Sequence, residues 1–235
     1  MPTLIHNLYS FTHYATRYLR DAQKAEPGHS QPIRARYARE FLNAVGITYT
    51  GPSLEQIQSM GPCIYVSNHT SILDAILVCA CFENDLRILA KDSLFKAPYL
   101  GRILRLERHI PVARGKNASA RNQAIRESIR SAIAEGASIL FFPEGTRTPT
   151  GKLGTFKLGA FYNAIQTQTP IVPVVVKGAF EAMPKQTLKI KPGRCSLELL
   201  SPIELPDESI GDETERAKYL SQKAFDAIQK ALDSE

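Results

Sequence analysis

An imidazole and a carboxylate stand five positions apart in Ser67-Asn68-His69-Thr70-Ser71-Ile72-Leu73-Asp74, directly after an apolar stretch that reads as a strand. A histidine held by a carboxylate can take a proton from an alcohol and so turn an ordinary hydroxyl into a nucleophile. Within one continuous α-helix, however, an offset of five residues is about 500°, which leaves the two side chains roughly 140° apart. A strand-to-helix turn resolves this. With His69 in the turn and Asp74 in the first turns of the next helix, the imidazole folds back over the carboxylate, which fixes its tautomer and stabilises its protonated form. Ser67, Asn68, Thr70 and Ser71 supply polar groups that suit capping of such a turn as well as chemistry. No G-x-S-x-G elbow surrounds Ser71, which therefore reads as a structural hydroxyl rather than a nucleophile.

A second polar loop, Phe142-Pro143-Glu144-Gly145-Thr146-Arg147-Thr148, follows the apolar run at 138–142. Gly145 lets backbone amides approach an anion, Thr146 offers a hydroxyl, and Arg147 can hold phosphate through two parallel hydrogen bonds. Glu144 cannot attract phosphate, so it is read as orienting Arg147 or accepting a hydrogen bond from a substrate hydroxyl.

The two loops together carry a resemblance. Asn68-His69-Thr70-Ser71-Ile72-Leu73-Asp74 resembles the N-H-x-S-x-x-D block, and Phe142-Pro143-Glu144-Gly145-Thr146-Arg147 the F-P-E-G-T-R block, of the glycerolipid acyltransferase family that includes 1-acyl-glycerol-3-phosphate acyltransferases. The similarity extends over roughly residues 50–200. It implies that His69 is the general base on a lysolipid hydroxyl, with Asp74 orienting it. The hydroxyl attacks the thioester of an acyl-CoA or acyl-carrier protein directly, without an acyl-enzyme, and no cofactor or metal is implied. It further implies substrate-binding roles for Glu144, Gly145, Thr146 and Arg147. Lys91 resembles a cation facing the acyl carbonyl, which would stabilise developing negative charge there. Arg114 resembles the terminal arginine of a phosphate-binding block, although Ala113 replaces the acid that often precedes it; a shifted register would bring Arg108 to that role instead. Pro173, in Ile171-Val172-Pro173-Val174, resembles a shaping residue near the thioester. Lys157, in Phe156-Lys157-x-Gly159, faces either substrate phosphate or solvent. The implied acceptor is lysophosphatidate, acylated at position 2 to phosphatidate. Another lysolipid such as lyso-ornithine lipid, or a non-catalytic membrane adaptor, is the alternative.

The elements that must hold these loops alternate along the chain. Strands are expected at 63–67, 86–90, 108–112, 138–142 and 171–177, and helices at 70–82, 117–135, 156–167 and 213–232. Residues 187–190 and 195–200 read as a hairpin. This order predicts an α/β fold with a largely parallel or mixed central sheet flanked by helices, the active loops lying at the strand ends. Before it, Leu4, Ile5, Leu8, Phe11, Ala15, Tyr18 and Leu19 recur with helical period, and a second helix runs from Pro32 to Gly46. Residues 1–49 thus form an N-terminal helical hairpin, a candidate membrane-surface anchor carrying Arg34, Arg36 and Arg39, and residues 50–235 form the acyltransferase domain.

Charge is unevenly placed in this chain of net charge +6. Residues 85–116 hold eight Lys or Arg against three acids, whereas residues 204–235 hold nine acids against four bases. A basic centre suggests an anionic partner: a phosphorylated substrate or an anionic membrane surface. Nucleic acid is disfavoured by the lack of any zinc-finger or RNP-like motif. Four cysteines without a zinc-site spacing read as reduced, mostly buried thiols, and no run of eighteen apolar residues occurs. The expected location is the cytoplasmic face of a membrane, peripheral or monotopic. His6, His13, His29 and His109 lack partners that would make a metal site, and read as interface or solvent-facing.

Overall fold

A computed structural model describes residues 3–26, 29–112 and 118–234. Among the described residues seven strands form one sheet: β1 (Ile47–Thr50), β2 (Ile64–Ser67), β3 (Leu86–Lys91), β4 (Ile110–Val112), β5 (Ser138–Phe141), β6 (Ile171–Lys177) and β7 (Gly193–Leu199), in the order β1-β7-β6-β2-β5-β3-β4. Strands β2 to β6 run parallel to one another; β7 returns antiparallel to β6, and β1 pairs parallel with β7. The sheet is therefore mixed, with the C-terminal ends of five strands on one edge.

Every residue of β2 and β5 is buried, because helices cover both faces. Strand periodicity divides the side chains. Tyr65 and Leu140 point to a core shared with α2 (Gln31–Ala44), the short α3 (Leu54–Ser59), α4 (Leu73–Cys81) and the short α8 (Ala179–Ala182), where Leu42, Leu73, Leu77 and Phe82 are fully buried. Ile64, Val66 and Ile139 point to the opposite core, shared with α6 (Ala118–Ala134), α7 (Gly159–Thr167) and α9 (Glu213–Asp233) through Ile129, Phe161, Leu220 and Ile228. Pro173 sits inside β6 without breaking the sheet. Pairing to β7 begins only at Val174↔Leu199, so the missing proline N–H falls where that ladder has ended.

The N-terminal hairpin is present: α1 (Leu4–Ala22) packs on α2, and α2 packs in turn on α4. A buried polar node fastens it. Glu107, just beyond α5 (Leu100–Leu106), accepts hydrogen bonds from Tyr18 and Arg34, and from Ser30 Oγ at 2.6 Å; Arg34 also donates to the carbonyl of Phe82 at 2.9 Å. Arg39 donates to the Ala80 carbonyl at 2.8 Å and pairs with Glu83 at 2.6 Å, and Arg36 pairs with Asp21 at 3.3 Å. The arginine cluster expected at a bilayer is thus engaged within the protein.

Two strand assignments change. Residues 187–190 are not a strand, and β7 takes its partners from β6 and from the edge strand β1. The run Ile47-Thr48-Tyr49-Thr50 carries the β-branched and aromatic content that signals it. Three of the four cysteines are buried and all four are free thiols, as expected.

Candidate active site

His69 lies in the turn between β2 and α4, and Asp74 in the first turn of α4. His69 Nδ1 is 2.9 Å from Asp74 Oδ2, so the turn does fold the imidazole back over the carboxylate. Asp74 is fully buried, and the same oxygen accepts the backbone amides of Thr70 at 2.7 Å and Ser71 at 2.8 Å. An oxygen already taking two N–H donors is an acceptor toward the ring as well. Nδ1 therefore carries the proton and Nε2 presents its lone pair. The ring is partly open to solvent and stacks on Phe142, centroids 4.1 Å apart, which braces it from the neighbouring loop.

The surrounding polar residues build the turn rather than react. Asn68 is buried and exchanges two hydrogen bonds with the backbone of Val176, at 2.8 and 2.9 Å, extending the β2–β6 pairing past the strand end. Ser71 Oγ donates to the Met183 carbonyl at 2.7 Å and accepts from the Leu73 amide at 3.2 Å, which agrees with its reading as a structural hydroxyl.

The loop after β5 is bonded directly to this turn. Glu144, buried at 8% exposure, accepts the His69 amide through Oε1 at 2.7 Å and the Gly154 amide through Oε2 at 3.0 Å. The Thr148 amide donates to the His69 carbonyl at 2.9 Å. Both oxygens of Glu144 thus accept backbone amides, which joins the two loops. Burial raises its carboxyl above the ordinary range, and the two amides work in the opposite direction by favouring the charged form. Gly145 has φ +71°, a left-handed conformation that disfavours any side chain, and a Cβ there would fall 2.7 Å from Lys157 Nζ. Thr146 is exposed and its hydroxyl accepts from Lys185 Nζ at 3.1 Å; Arg147 follows, half-buried.

Lys91 closes β3 on the same sheet edge, opposite Val112 of β4, with β5 between it and β2. It is exposed and forms no hydrogen bond with the His69–Asp74 pair among the described residues. Arg114 and Ala113 lie outside the described residues. Arg108, the alternative to Arg114, is tied to Glu135 at 2.5 Å. His109 is buried, and its Nδ1 accepts the Ile88 amide at 3.1 Å. Among the described residues no group of acids, histidines and cysteines could hold a metal ion.

Residues 47–177, more than half of the chain and including both loops, match the family model described as Acyltransferase. The chain belongs to the acyltransferase family. Its curated relatives in the family include a 1-acyl-sn-glycerol-3-phosphate acyltransferase of Limnanthes alba, 33% identical over 174 residues, which span 73% of this chain and 62% of the relative. One from Cocos nucifera is 35% identical over 61% of this chain and 46% of its own length. The human 1-acyl-sn-glycerol-3-phosphate acyltransferase beta is 34% identical over 59% of this chain and 50% of its own. The acyltransferase chain thus spans between 46% and 62% of the length of these relatives. The crystal structure of the 1-acyl-sn-glycerophosphate acyltransferase PlsC from Thermotoga maritima superposes with a TM-score of 0.77, over 99% of this chain and 96% of that one, at 20% identity. The acyltransferase fold is therefore shared along the whole chain, including the N-terminal helices.

Proposed function

We propose that the protein transfers a fatty acyl group from acyl-CoA or acyl-carrier protein to the position-2 hydroxyl of 1-acyl-glycerol-3-phosphate, giving phosphatidate. One observation carries this reading: the His69–Asp74 pair and the Gly145-Thr146-Arg147 turn are bonded to each other through Glu144 and Thr148 at the end of one sheet. A base is thereby held at a fixed offset from a cationic, glycine-containing turn. A phosphorylated alcohol seated on that turn offers its hydroxyl to Nε2.

In the proposed step Nε2 removes the hydroxyl proton as the oxygen attacks the thioester carbonyl, and Asp74 stabilises the imidazolium that forms. Collapse of the tetrahedral intermediate breaks the carbon–sulfur bond, and the proton held on Nε2 passes to the departing thiolate. Lys91 and Arg114 are assigned the roles of stabilising the carbonyl oxygen and binding the head group. Arg147 holds the acceptor phosphate.

The reaction is assigned to the cytoplasmic face of a membrane, with residues 1–49 as surface-docking element and residues 50–235 as catalytic domain. In the first turns of α1 the usual polarity is reversed: Asn7 and Ser10 are buried, while Ile5, Leu8 and Tyr9 are 79%, 51% and 65% exposed. Apolar side chains turned outward over polar ones turned inward suit a helix resting in the headgroup layer. No helix among the described residues is long and apolar enough to cross a membrane.

Purified protein supplied with labelled acyl-CoA or acyl-carrier protein and a panel of lysolipids tests the assignment. Labelled phosphatidate is expected. Transfer only to a non-phosphatidate acceptor would replace the substrate, and binding of lysolipid without consumption of either thioester would make the protein an adaptor.

A further inference from the structure

We propose that Lys185 and Lys157 complete the acceptor's phosphate site, meeting a phosphate monoester dianion at the Gly145-Thr146 turn alongside Arg147; this rests on the acyl-transfer reading above. Lys185 Nζ lies 3.1 Å from Thr146 Oγ1, and Lys157 Nζ lies where a side chain on Gly145 would otherwise be. Two ammonium groups from different parts of the chain thus converge on two adjacent residues. Among the described residues none of Arg147, Lys157 and Lys185 takes part in an ion pair. Glu144, next to Gly145 in the sequence, has both oxygens turned to the backbone amides of His69 and Gly154. Cations gathered at one turn without an ion-pair partner among the described residues repel one another, and a doubly charged anion relieves that repulsion.

Lys185 is delivered by a strap, residues 183–192, that is fixed along its length. Its start is held by Ser71 Oγ on the Met183 carbonyl at 2.7 Å, its middle by Asn7 Nδ2 on the Leu188 carbonyl at 3.3 Å, and its end by the Lys191 amide on the Ala182 carbonyl at 2.8 Å. The first of these anchors belongs to the catalytic turn and the second to α1. Lys185 is half-buried, whereas Leu188 is 61% exposed beside the outward apolar turns of α1, with exposed Lys189 and Lys191 around it. The strap thus joins the surface assigned to the membrane with the turn assigned to the phosphate. An acceptor entering from the bilayer meets Lys185 on the way.

The test separates the acceptor phosphate from the donor's phosphates, which share the same chemistry. Lys185→Gln and Lys157→Gln are each expected to raise KM for lysophosphatidate on the order of tenfold, with kcat little changed and KM for acyl-CoA unchanged. Lys185→Arg should restore most of the affinity. A rise in the acyl-CoA KM alone would overturn the assignment in favour of the donor, and wild-type values for both substrates would overturn it outright. Glycerol 3-phosphate binding by calorimetry reads the site without turnover: weaker binding in both glutamine variants is expected, and equal binding in wild type and variants counts against the site. Should the wild type fail to acylate lysophosphatidate while binding glycerol 3-phosphate through these lysines, the acyl-transfer reading would fall and the anion site would stand.

Discussion

Glu144 and His69, 75 positions apart in the chain, are joined by a hydrogen bond of 2.7 Å from the His69 amide to the Glu144 carboxylate. The loop after β5 and the turn after β2 are therefore tied to each other, and the separation of His69 from the Gly145-to-Arg147 turn is set by two adjacent parallel strands. The geometry makes four predictions.

His69→Ala is expected to lower kcat by roughly 10²–10⁴-fold, the usual contribution of a positioned base, with little change in thermal stability. Asp74→Asn should produce a comparable loss for a different reason. Its amide group would face the Thr70 and Ser71 N–H donors or reverse the imidazole tautomer, placing the proton on Nε2. Single-turnover acyl transfer measures both; turnover near wild type in His69→Ala would remove His69 from the mechanism.

Glu144→Gln replaces one of two acceptors by a donor aimed at a backbone N–H. A cost of about 1–3 kcal/mol in unfolding free energy is expected from the unsatisfied pair. The loss should appear in kcat more than in KM for the acceptor, because the substitution disturbs the offset of base from phosphate. Urea unfolding and steady-state kinetics check it together, and a variant unchanged in both would show that the joint is dispensable.

Glu107→Ala should be the most damaging single change to the hairpin. It leaves the buried Arg34 guanidinium without its counter-charge and leaves Tyr18 and Ser30 without their acceptor. Breaking one partner of a buried pair typically costs about 3–5 kcal/mol. A shift in urea midpoint at unchanged slope measures it; a change below about 1 kcal/mol would mean that water replaces the carboxylate.

His109 links stability to acid. Burial, reinforced by the nearby Arg34 and Arg87 charges, pulls its imidazole from 6.5 down to about 3. The unfolded chain therefore takes up a proton that the folded chain refuses. Its contribution is full above pH 6.5 and is lost as pH falls from there toward about 3. His109→Gln keeps an acceptor for the Ile88 amide without titrating. It should flatten the decline of unfolding free energy across that window, and an identical pH profile in the variant would refute the link.

What the sequence makes legible is what local pattern encodes. The short apolar runs at 63–67 and 138–142 read as buried strands because both faces of β2 and β5 are covered. The period of α9 gives its extent nearly to the residue, Glu213–Asp233 against an expected 213–232. Pairings across the chain are another matter. The partner of β7 is settled by β1, nearly 150 positions away, so a hairpin within 187–200 was the natural local alternative. Glu144 beside Arg147 invites an ion-pair reading, but its partners are amides supplied by other loops. Arg34 reads as a surface residue from local sequence because Glu107, which neutralises it, lies 73 positions away. Lys185 has no motif around it at all; only the fold brings it to Thr146.

The antiparallel return of β7 has a consequence for how this chain can diversify. A parallel successor to β6 would need a crossover across a face of the sheet, and the connection would be bound to that course. Because β7 comes straight back beside β6, strand order places no demand on the length of residues 178–192. The segment bearing Lys185 and Leu188 can lengthen, shorten or change charge while the sheet and the His69 turn keep their threading. A change in which head group is accepted could thus arise within one connection, provided that Met183 keeps its carbonyl on Ser71 Oγ.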